Sequence, residues 1–152
     1  MNQDIEQSIE ENLAQNGFHV STTSGYSMYP MLRDRRDRVV ILPTDGKRLK
    51  RYDLPLYKKP NGKYVLHRIL RVKKDHYVIR GDNTYRLERI PFDWVIGYVD
   101  EFYRKGKHVS TTSRAYRLYA ACWHFIYPAR WGYRMGRIAL ARVFRIFKKK
   151  NP

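Results

Sequence analysis

Three short motifs in this 152-residue chain each supply one residue that can take part in cleaving a peptide bond. Ser27 stands in the segment G-Y-S-M-Y-P, His67 in L-H-R-I and Asp82 in R-G-D-N. A serine hydroxyl becomes an effective nucleophile only when a base removes its proton, and imidazole suits that task because it titrates near neutral pH. An acid that holds the imidazole in one orientation completes such a set. The motifs therefore predict a serine nucleophile, a histidine base and an acidic partner.

The residues around Ser27 predict a turn that follows a β-strand. Gly25 lets the backbone bend close to a substrate, and Pro30 fixes the direction in which the chain leaves the turn. The segment differs from the G-x-S-x-G elbow of α/β-hydrolases because Tyr29 stands where that motif has glycine. It also differs from S-x-x-K, since position 30 is proline. A turn serine that bonds only to nearby backbone is the structural alternative.

His67 lies in an apolar run, residues 64–72, that predicts one strand of a hairpin with its turn near residues 74–75. Within such a strand His67 shares a face with Val65 and Ile69. The structural alternative is a half-buried histidine with no chemical role. The other histidines stand in no motif, and none has metal-ligand spacing with a third ligand nearby. The sequence therefore predicts no metal and no cofactor.

The order of these motifs resembles the signal-peptidase superfamily of serine peptidases, which also contains the self-cleaving repressors. Over residues 24–98 the chain shows S-M-x-P, R-V-V-I, Y-D, H-R-I and G-D-N in turn. The resemblance implies an antiparallel β core, Ser27 as nucleophile and His67 as general base. Many bacterial members have lysine at the latter position, so the Ser–His pair is similar to the endoplasmic-reticulum and archaeal type. It further implies a leader or signal-like peptide or precursor protein as substrate, cleaved through an acyl-enzyme.

The identity of the acid stays open at the level of sequence. The resemblance implies Asp82, which could also be a turn residue that caps the preceding strand. Eukaryote-like members of the superfamily carry a further acid a few residues later, and here that description fits Glu88 and then Asp93. Any of the three could orient His67.

The groups that would stabilise the oxyanion are also open. Several signal peptidases have a donating serine two residues before the nucleophile, where this chain has Gly25, and Ser24 lies one residue earlier. The backbone N–H of Ser27, assisted by Ser24, is one possible donor set. The candidate oxyanion and substrate-binding residues are Ser24, Gly25, Met28 and Pro30.

The distribution of strand patterns predicts a mainly β fold. Apolar, β-branched runs occur at residues 38–42, 64–72, 76–80, 92–103 and 108–112, with no helical pattern between them. Such spacing favours antiparallel pairing. Ile5, Ile9 and Leu13 recur at helical spacing before Gly17, which predicts a short acidic N-terminal helix. We expect three parts: that helix over 1–17, a β-rich catalytic domain over 18–113 and a basic helical tail over 114–152.

The charge of the chain points to an anionic partner. Its formal net charge is +17, and every formally charged side chain after residue 113 is a lysine or an arginine. Tyrosine and tryptophan recur at helical spacing between these cations, and Pro128 separates two predicted helices. The pattern over 114–150 is typical of a helix that lies on an anionic membrane surface. The structural alternative is that its aromatic stripe packs on the β core.

Two other functions remain compatible with the sequence. One is a non-catalytic module of the same fold that binds peptides or membranes. The third, and least favoured, is nucleic-acid binding, which the charge permits but no known binding motif supports. The sequence shows no signal peptide and no apolar run of transmembrane length, so we expect a cytoplasmic protein or one peripheral to the cytoplasmic membrane face. A single cysteine, Cys122, excludes an intrachain disulfide, and the oligomeric state is open.

Overall fold

A computed structural model describes the backbone of residues 8–150 and the side chains of residues 8–142. The predicted N-terminal helix therefore lies partly outside the described residues, as do Asn151 and Pro152 of the predicted tail. The described part of that helix is α1 (Ile9–Asn16). Ser8 caps it by accepting a hydrogen bond from the backbone N–H of Glu11, whose side chain accepts one in return. Gly17, at φ 73°, ends the helix in the left-handed conformation that favours glycine.

The larger of two sheets has six strands and is antiparallel throughout. Its main path runs β1-β2-β8-β3-β4 with β1 and β4 at the two ends, and β9 pairs with the second half of β8 beside this path. Its strands are β1 (His19–Thr22), β2 (Arg38–Leu42), β3 (Pro55–Lys58), β4 (Tyr64–Leu66), β8 (Val95–Arg104) and β9 (Lys107–Ser110). The long strand β8 is central because it pairs with β2 on one side and with β3 and β9 on the other.

The smaller sheet follows directly from β4 along the chain. It contains β5 (Arg68–Val72), β6 (His76–Arg80) and β7 (Glu88–Pro91), paired in that order and antiparallel. The two sheets together form a curled half-barrel, which confirms the predicted mainly antiparallel β fold. The hairpin of β5 and β6 turns at the predicted place, and β7 is a strand that the sequence analysis did not identify.

Apolar side chains from both sheets meet in one buried cluster. Its members are Leu49, Tyr57, Ile69, Tyr77, Ile79 and Ile90. The Tyr77 hydroxyl accepts a hydrogen bond from the backbone N–H of Leu49 at 2.9 Å, which satisfies a buried polar group inside the cluster. The cluster fixes β3 of the large sheet against β5, β6 and β7, and these are the strands that carry or flank the candidate site.

Two helices follow the sheets, as the sequence predicted. They are α2 (Arg114–Phe125) and α3 (Tyr127–Lys150), and the break between them lies two residues before Pro128. The chain divides into two compact units, one ending at Arg117 and the other beginning at Leu118, whereas the boundary expected from sequence was residue 113. Among the described residues, no helix combines the length and apolar character needed to cross a bilayer.

Candidate active site

The loop that carries Ser27 connects β1 to β2 and is held by side chains at both of its ends. The Thr23 hydroxyl donates to the carbonyl of Arg33 at 2.7 Å, and the backbone N–H of Gly25 donates to Asp34 Oδ1 at 2.7 Å. Gly25 has φ 91°, a conformation that side-chain-bearing residues rarely adopt, so glycine is required at this bend. These contacts fix the turn two residues before the half-buried Ser27.

The second half of the loop is anchored in the core. Met28 and Leu32 are buried, and the backbone N–H of Leu32 donates to the carbonyl of Met28 at 3.0 Å. Asp37 is fully buried and accepts a hydrogen bond from the backbone N–H of Arg33 at 2.9 Å. Pro30 follows a cis peptide bond in this loop. The loop thus has the fixed shape that an active-site turn needs.

His67 occupies the junction between the two sheets. The prediction of one continuous strand over residues 64–72 is wrong, because β4 ends at Leu66 and β5 begins at Arg68. The chain changes sheet here: β4 pairs with β3 in the larger sheet, whereas β5 pairs with β6 in the smaller one. His67 therefore does not share a strand face with Val65 and Ile69. Its imidazole is buried, with 6% of the residue exposed.

The Nδ1 side of the His67 ring faces two polar groups. Glu88 Oε1 lies 3.4 Å from Nδ1, and the Tyr57 hydroxyl lies 3.3 Å from the same atom. Tyr57 also donates to Glu88 Oε2 at 3.4 Å, and Lys59 Nζ donates to that oxygen at 2.6 Å. Glu88 is thus held by a hydroxyl and an ammonium group while its other oxygen faces the imidazole. We refer to Tyr57, Lys59 and Glu88 as the Nδ1 cluster.

These surroundings keep the imidazole neutral. Burial, the largest influence, lowers the pKa of His67 below its ordinary value, and the Lys59 ammonium lowers it further. The charges of Glu88 and Asp82 raise the pKa but do not outweigh burial. Burial by itself would raise the pKa of the Glu88 carboxyl, yet the net direction is downward, because the hydrogen bonds from Lys59 and Tyr57 and the Lys59 charge stabilise the carboxylate, as does the charge of His67 when it is protonated. The site therefore holds a neutral base beside an ionised acid.

Asp82, the acid that the resemblance implies, is bound by Arg68. Its two carboxylate oxygens accept hydrogen bonds from Arg68 Nε and Nη2 at 2.8 and 2.7 Å, and both side chains are buried. Arg68 also donates to the Tyr116 hydroxyl at 2.7 Å, which in turn donates to the carbonyl of Tyr52 at 2.8 Å. Asp82 therefore ties its loop to β5 and to the first turn of α2, and the carboxylate at Nδ1 belongs to Glu88.

The loop of Asp82 also joins the Ser27 turn to His67. The backbone N–H of Asn83 donates to the carbonyl of Ser27 at 2.8 Å. A Cβ atom placed on Gly81 would lie 2.6 Å from that carbonyl oxygen and 3.1 Å from His67 Nε2. Gly81 therefore lies between the Ser27 carbonyl and the His67 ring. The distance from the Ser27 carbonyl oxygen to His67 Nε2 is at most the sum of these two distances. The structure thus brings the Ser27 turn to the Nε2 side of the ring, opposite Glu88.

A cavity of about 410 Å³ opens at Ser27 and His67. Of the predicted substrate-binding residues, Ser24, Gly25 and Met28 line it together with Ser27 and His67. Its apolar lining includes Leu32, Val39, Ile41, Leu56, Val65 and Leu66. Residues of strands β1 and β4, which lie at the two ends of the main strand path, also line it. Such a cavity has the size and lining of a site for an apolar segment of a ligand.

Two further sequence predictions concern acids and metals. Asp93 is exposed on the 3-10 turn Phe92–Trp94, and it is Glu88, not Asp93, that the structure brings to His67. Across residues 8–142, no cluster of three or more histidine, cysteine, aspartate or glutamate side chains could hold a metal ion.

Tyr57 and Lys59 are functional candidates that the sequence analysis missed. Lys59 lies beside the Asn61-Gly62 turn, where lysine is an ordinary surface residue, and Tyr57 is an ordinary strand residue. The signal in the sequence that could have indicated Tyr57 was the Asn61-Gly62 turn, across which β3 pairs with β4. This pairing places Tyr57 opposite Val65, two residues from His67. Neither residue type nor spacing indicates their contact with Glu88.

Comparison with known proteins did not identify a family for this chain. A scan against protein-family models found no match, and a search of the curated proteins found none either. The function is therefore argued from the residues and their arrangement.

Proposed function

We propose that this chain is a serine endopeptidase of the signal-peptidase type, with Ser27 as nucleophile, His67 as general base and Glu88 as the acid that orients His67. The observation that carries the proposal is the shared cavity of Ser27 and His67, with an ionised carboxylate on the far side of the imidazole. The resemblance of the sequence motifs to the superfamily supports the same assignment. Asp82 takes a structural role in this proposal.

The first half of the reaction forms an acyl-enzyme. Neutral His67 accepts the Ser27 hydroxyl proton at Nε2 as Ser27 Oγ attacks the carbonyl carbon of the scissile peptide bond. The tetrahedral intermediate collapses when the C–N bond breaks and His67 returns the proton to the leaving amine. The acyl group remains as an ester on Ser27 Oγ. The Ser27 backbone N–H, assisted by the Ser24 hydroxyl, is the proposed donor set for the oxyanion.

The second half releases the other product by hydrolysis. His67 removes a proton from water at Nε2, and the resulting hydroxide attacks the ester carbon. Breakage of the ester C–O bond returns the proton to Ser27 Oγ and leaves a carboxylic acid, so the enzyme is regenerated. Throughout both halves the Glu88 carboxylate stabilises the imidazolium through Nδ1, and the Tyr57 and Lys59 contacts hold that carboxylate in place.

The substrate that fits this cavity is an extended peptide. Since β1 and β4 lie at the two ends of the main strand path and both line the cavity, a peptide between them can pair with their backbone groups. Its alternating side chains would then reach the apolar lining, which includes Val39 and Leu56. A leader or signal-like segment, which is apolar and extended, meets these requirements. A cytoplasmic or peripheral membrane location belongs to this proposal, and its support is the cationic sequence after residue 113.

The test is a peptide-cleavage assay with matched variants. A mixture of leader and signal-like peptides is incubated with the chain, and mass spectrometry identifies the cleaved bonds. We expect cleavage at defined bonds that is lost in Ser27→Ala and His67→Ala, and kept in Ser110→Ala and His76→Gln. Ser110 and His76 are a serine and a histidine on β9 and β6, away from the cavity lining.

Two results would count against the proposal. Cleavage that survives Ser27→Ala would come from another protease. Binding of the peptides without cleavage, measured by fluorescence anisotropy, would instead identify a peptide-binding module.

A further inference from the structure

Helix α3 presents a long, exposed surface that combines cations with large apolar side chains. Every residue from Trp131 to Arg142 is exposed. The exposed fractions include 49% for Trp131, 70% for Tyr133 and 60% for Leu140. Large apolar side chains are seldom exposed together over three turns of one helix, so this surface indicates a partner.

The charges of this helix are of a single sign. Arg130, Arg134 and Arg137 recur at helical spacing along one row, and Tyr133 and Leu140, seven residues apart, lie directly beside that row. No aspartate or glutamate occurs in the chain after Glu101. The helix therefore has no acid of its own to offset its arginines, and the partner that complements it is anionic.

Three kinds of partner could cover the helix, and one accounts for both of its properties. A second copy of the helix would bring arginine against arginine, which is unfavourable. A nucleic acid would bind the arginines but would leave Leu140 and Met135 in water. An anionic lipid bilayer takes up both: phosphates bind the arginines, and the upper acyl region accepts the apolar side chains. We infer that α3 docks this chain onto the surface of an anionic bilayer.

The helix lies along the bilayer surface in this inference. Its 24 residues would be long enough to cross the hydrocarbon core, yet arginines occur at 130, 134, 137 and 142. Each arginine at the centre of a bilayer would be costly, whereas at the headgroup level it is stabilising. Trp131 and Tyr133 are the aromatic residues that favour the same level. None of residues 127–142 is buried, and a bilayer would supply the packing that stabilises this part of the helix.

The experiment is sedimentation of the full chain with lipid vesicles. One vesicle preparation contains phosphatidylcholine alone, and the other contains phosphatidylcholine mixed with phosphatidylglycerol. The charge variant is Arg134→Gln/Arg137→Gln/Arg142→Gln, and the apolar variant is Tyr133→Gln/Leu140→Gln. The matched control removes the same number of exposed cations from the β5–β6 hairpin: Arg71→Gln/Lys73→Gln/Lys74→Gln. Glutamine keeps helix propensity close to that of arginine, and circular dichroism checks the helix content.

We expect strong binding to the phosphatidylglycerol vesicles and weak binding to phosphatidylcholine alone. Each arginine removed should weaken binding by roughly fivefold, so the charge variant loses about a hundredfold. The apolar variant should lose roughly tenfold for each side chain, while the hairpin control stays within about twofold of the parent chain.

Several outcomes would overturn the inference. These are equal binding to both vesicle types, equal loss in the hairpin control, or no effect of the apolar variant. Tighter binding to duplex RNA or DNA than to vesicles at the same salt concentration would identify nucleic acid as the partner instead. None of these readouts depends on peptide cleavage, so the inference and the proposed peptidase activity can fail separately.

Discussion

Substitutions of two members of the Nδ1 cluster, Glu88 and Lys59, should shift the pKa of His67 in opposite directions. Glu88→Gln removes the carboxylate 3.4 Å from His67 Nδ1 but leaves the Lys59 ammonium in place. The imidazolium then loses an attraction and keeps a repulsion, so the pKa of His67 should fall further. Lys59→Met removes the repulsion and keeps the carboxylate, so the same pKa should rise. If the two residues acted on His67 only through packing, and not through their charges, the two shifts would not have opposite signs.

The expected size follows from the geometry. At an effective dielectric constant of about 20, a full charge 3.4 Å away is worth roughly 5 kcal/mol. The Glu88 side chain is 25% exposed, and its carboxylate is already shared with Lys59 at 2.6 Å, so the net effect on His67 is a fraction of that value. We therefore expect a fall of about one to two pKa units for Glu88→Gln, or roughly 1.4 to 2.7 kcal/mol. For Lys59→Met we expect a rise of about one unit.

The assay is an NMR titration of the histidine side chains, with the His67→Gln variant used to assign the His67 signal. Cleavage of a peptide substrate is measured in parallel, and Glu88→Gln should reduce kcat by roughly 100- to 10,000-fold, because the base loses its orienting acid. The matched control is Glu101→Gln, which removes a carboxylate bound to a different histidine, His108, at 2.6 Å. The reasoning is refuted if the pKa of His67 is unchanged in Glu88→Gln, or if both substitutions move it in one direction.

Three further predictions concern stability and pH. Asp82→Asn should lower the free energy of unfolding by about 3–5 kcal/mol, because it leaves the Arg68 guanidinium buried without its carboxylate. Urea titration measures this change, and a decrease of less than about 1 kcal/mol would contradict a stabilising role for the buried pair. Gly81→Ala should destabilise the fold by about 1–3 kcal/mol and abolish cleavage, because the new Cβ would lie 2.6 Å from the Ser27 carbonyl oxygen. An Ala variant with parent stability and activity would refute that packing. The pKa of His67 is lowered in the folded chain, so this residue contributes stability above about pH 6.5, and that contribution is lost as the pH falls through the folded pKa. The acid limb of kcat/KM should accordingly lie below pH 6.5, and a limb above it would contradict a neutral buried base.

Local sequence patterns were sufficient to predict much of the fold. The strand patterns at 38–42 and 76–80 match β2 and β6, and Gly17 and Pro128 mark helix boundaries near those observed. These features are local, since residue preference and short-range periodicity determine them. The prediction of a continuous strand over residues 64–72 was wrong because it, too, used only local patterns, which do not show the pairing partner of a strand. Nothing within the run shows that its two halves pair with different sheets.

The residue types of the candidate site can be read from the amino-acid sequence alone. A serine in a tight turn, a histidine in a strand-like run and several acids after it are chain-order facts, and so is the excess of cations after residue 113. Residue type alone indicates the chemistry that these groups can perform, and on that ground Ser27 and His67 are predicted to be a nucleophile and a base.

The acid that lies beside His67 could not be identified from the sequence, because strand pairing and sheet packing place it there. Asp82 follows His67 more closely in the sequence than Glu88 does, yet Arg68 takes both of its carboxylate oxygens. Glu88 reaches His67 because β7 pairs with β6 and because Tyr57, from a different sheet, lies against the same ring. Contacts between residues far apart in sequence depend on how strands pair and sheets pack, and those choices are made by the burial of the whole core. No local pattern records them.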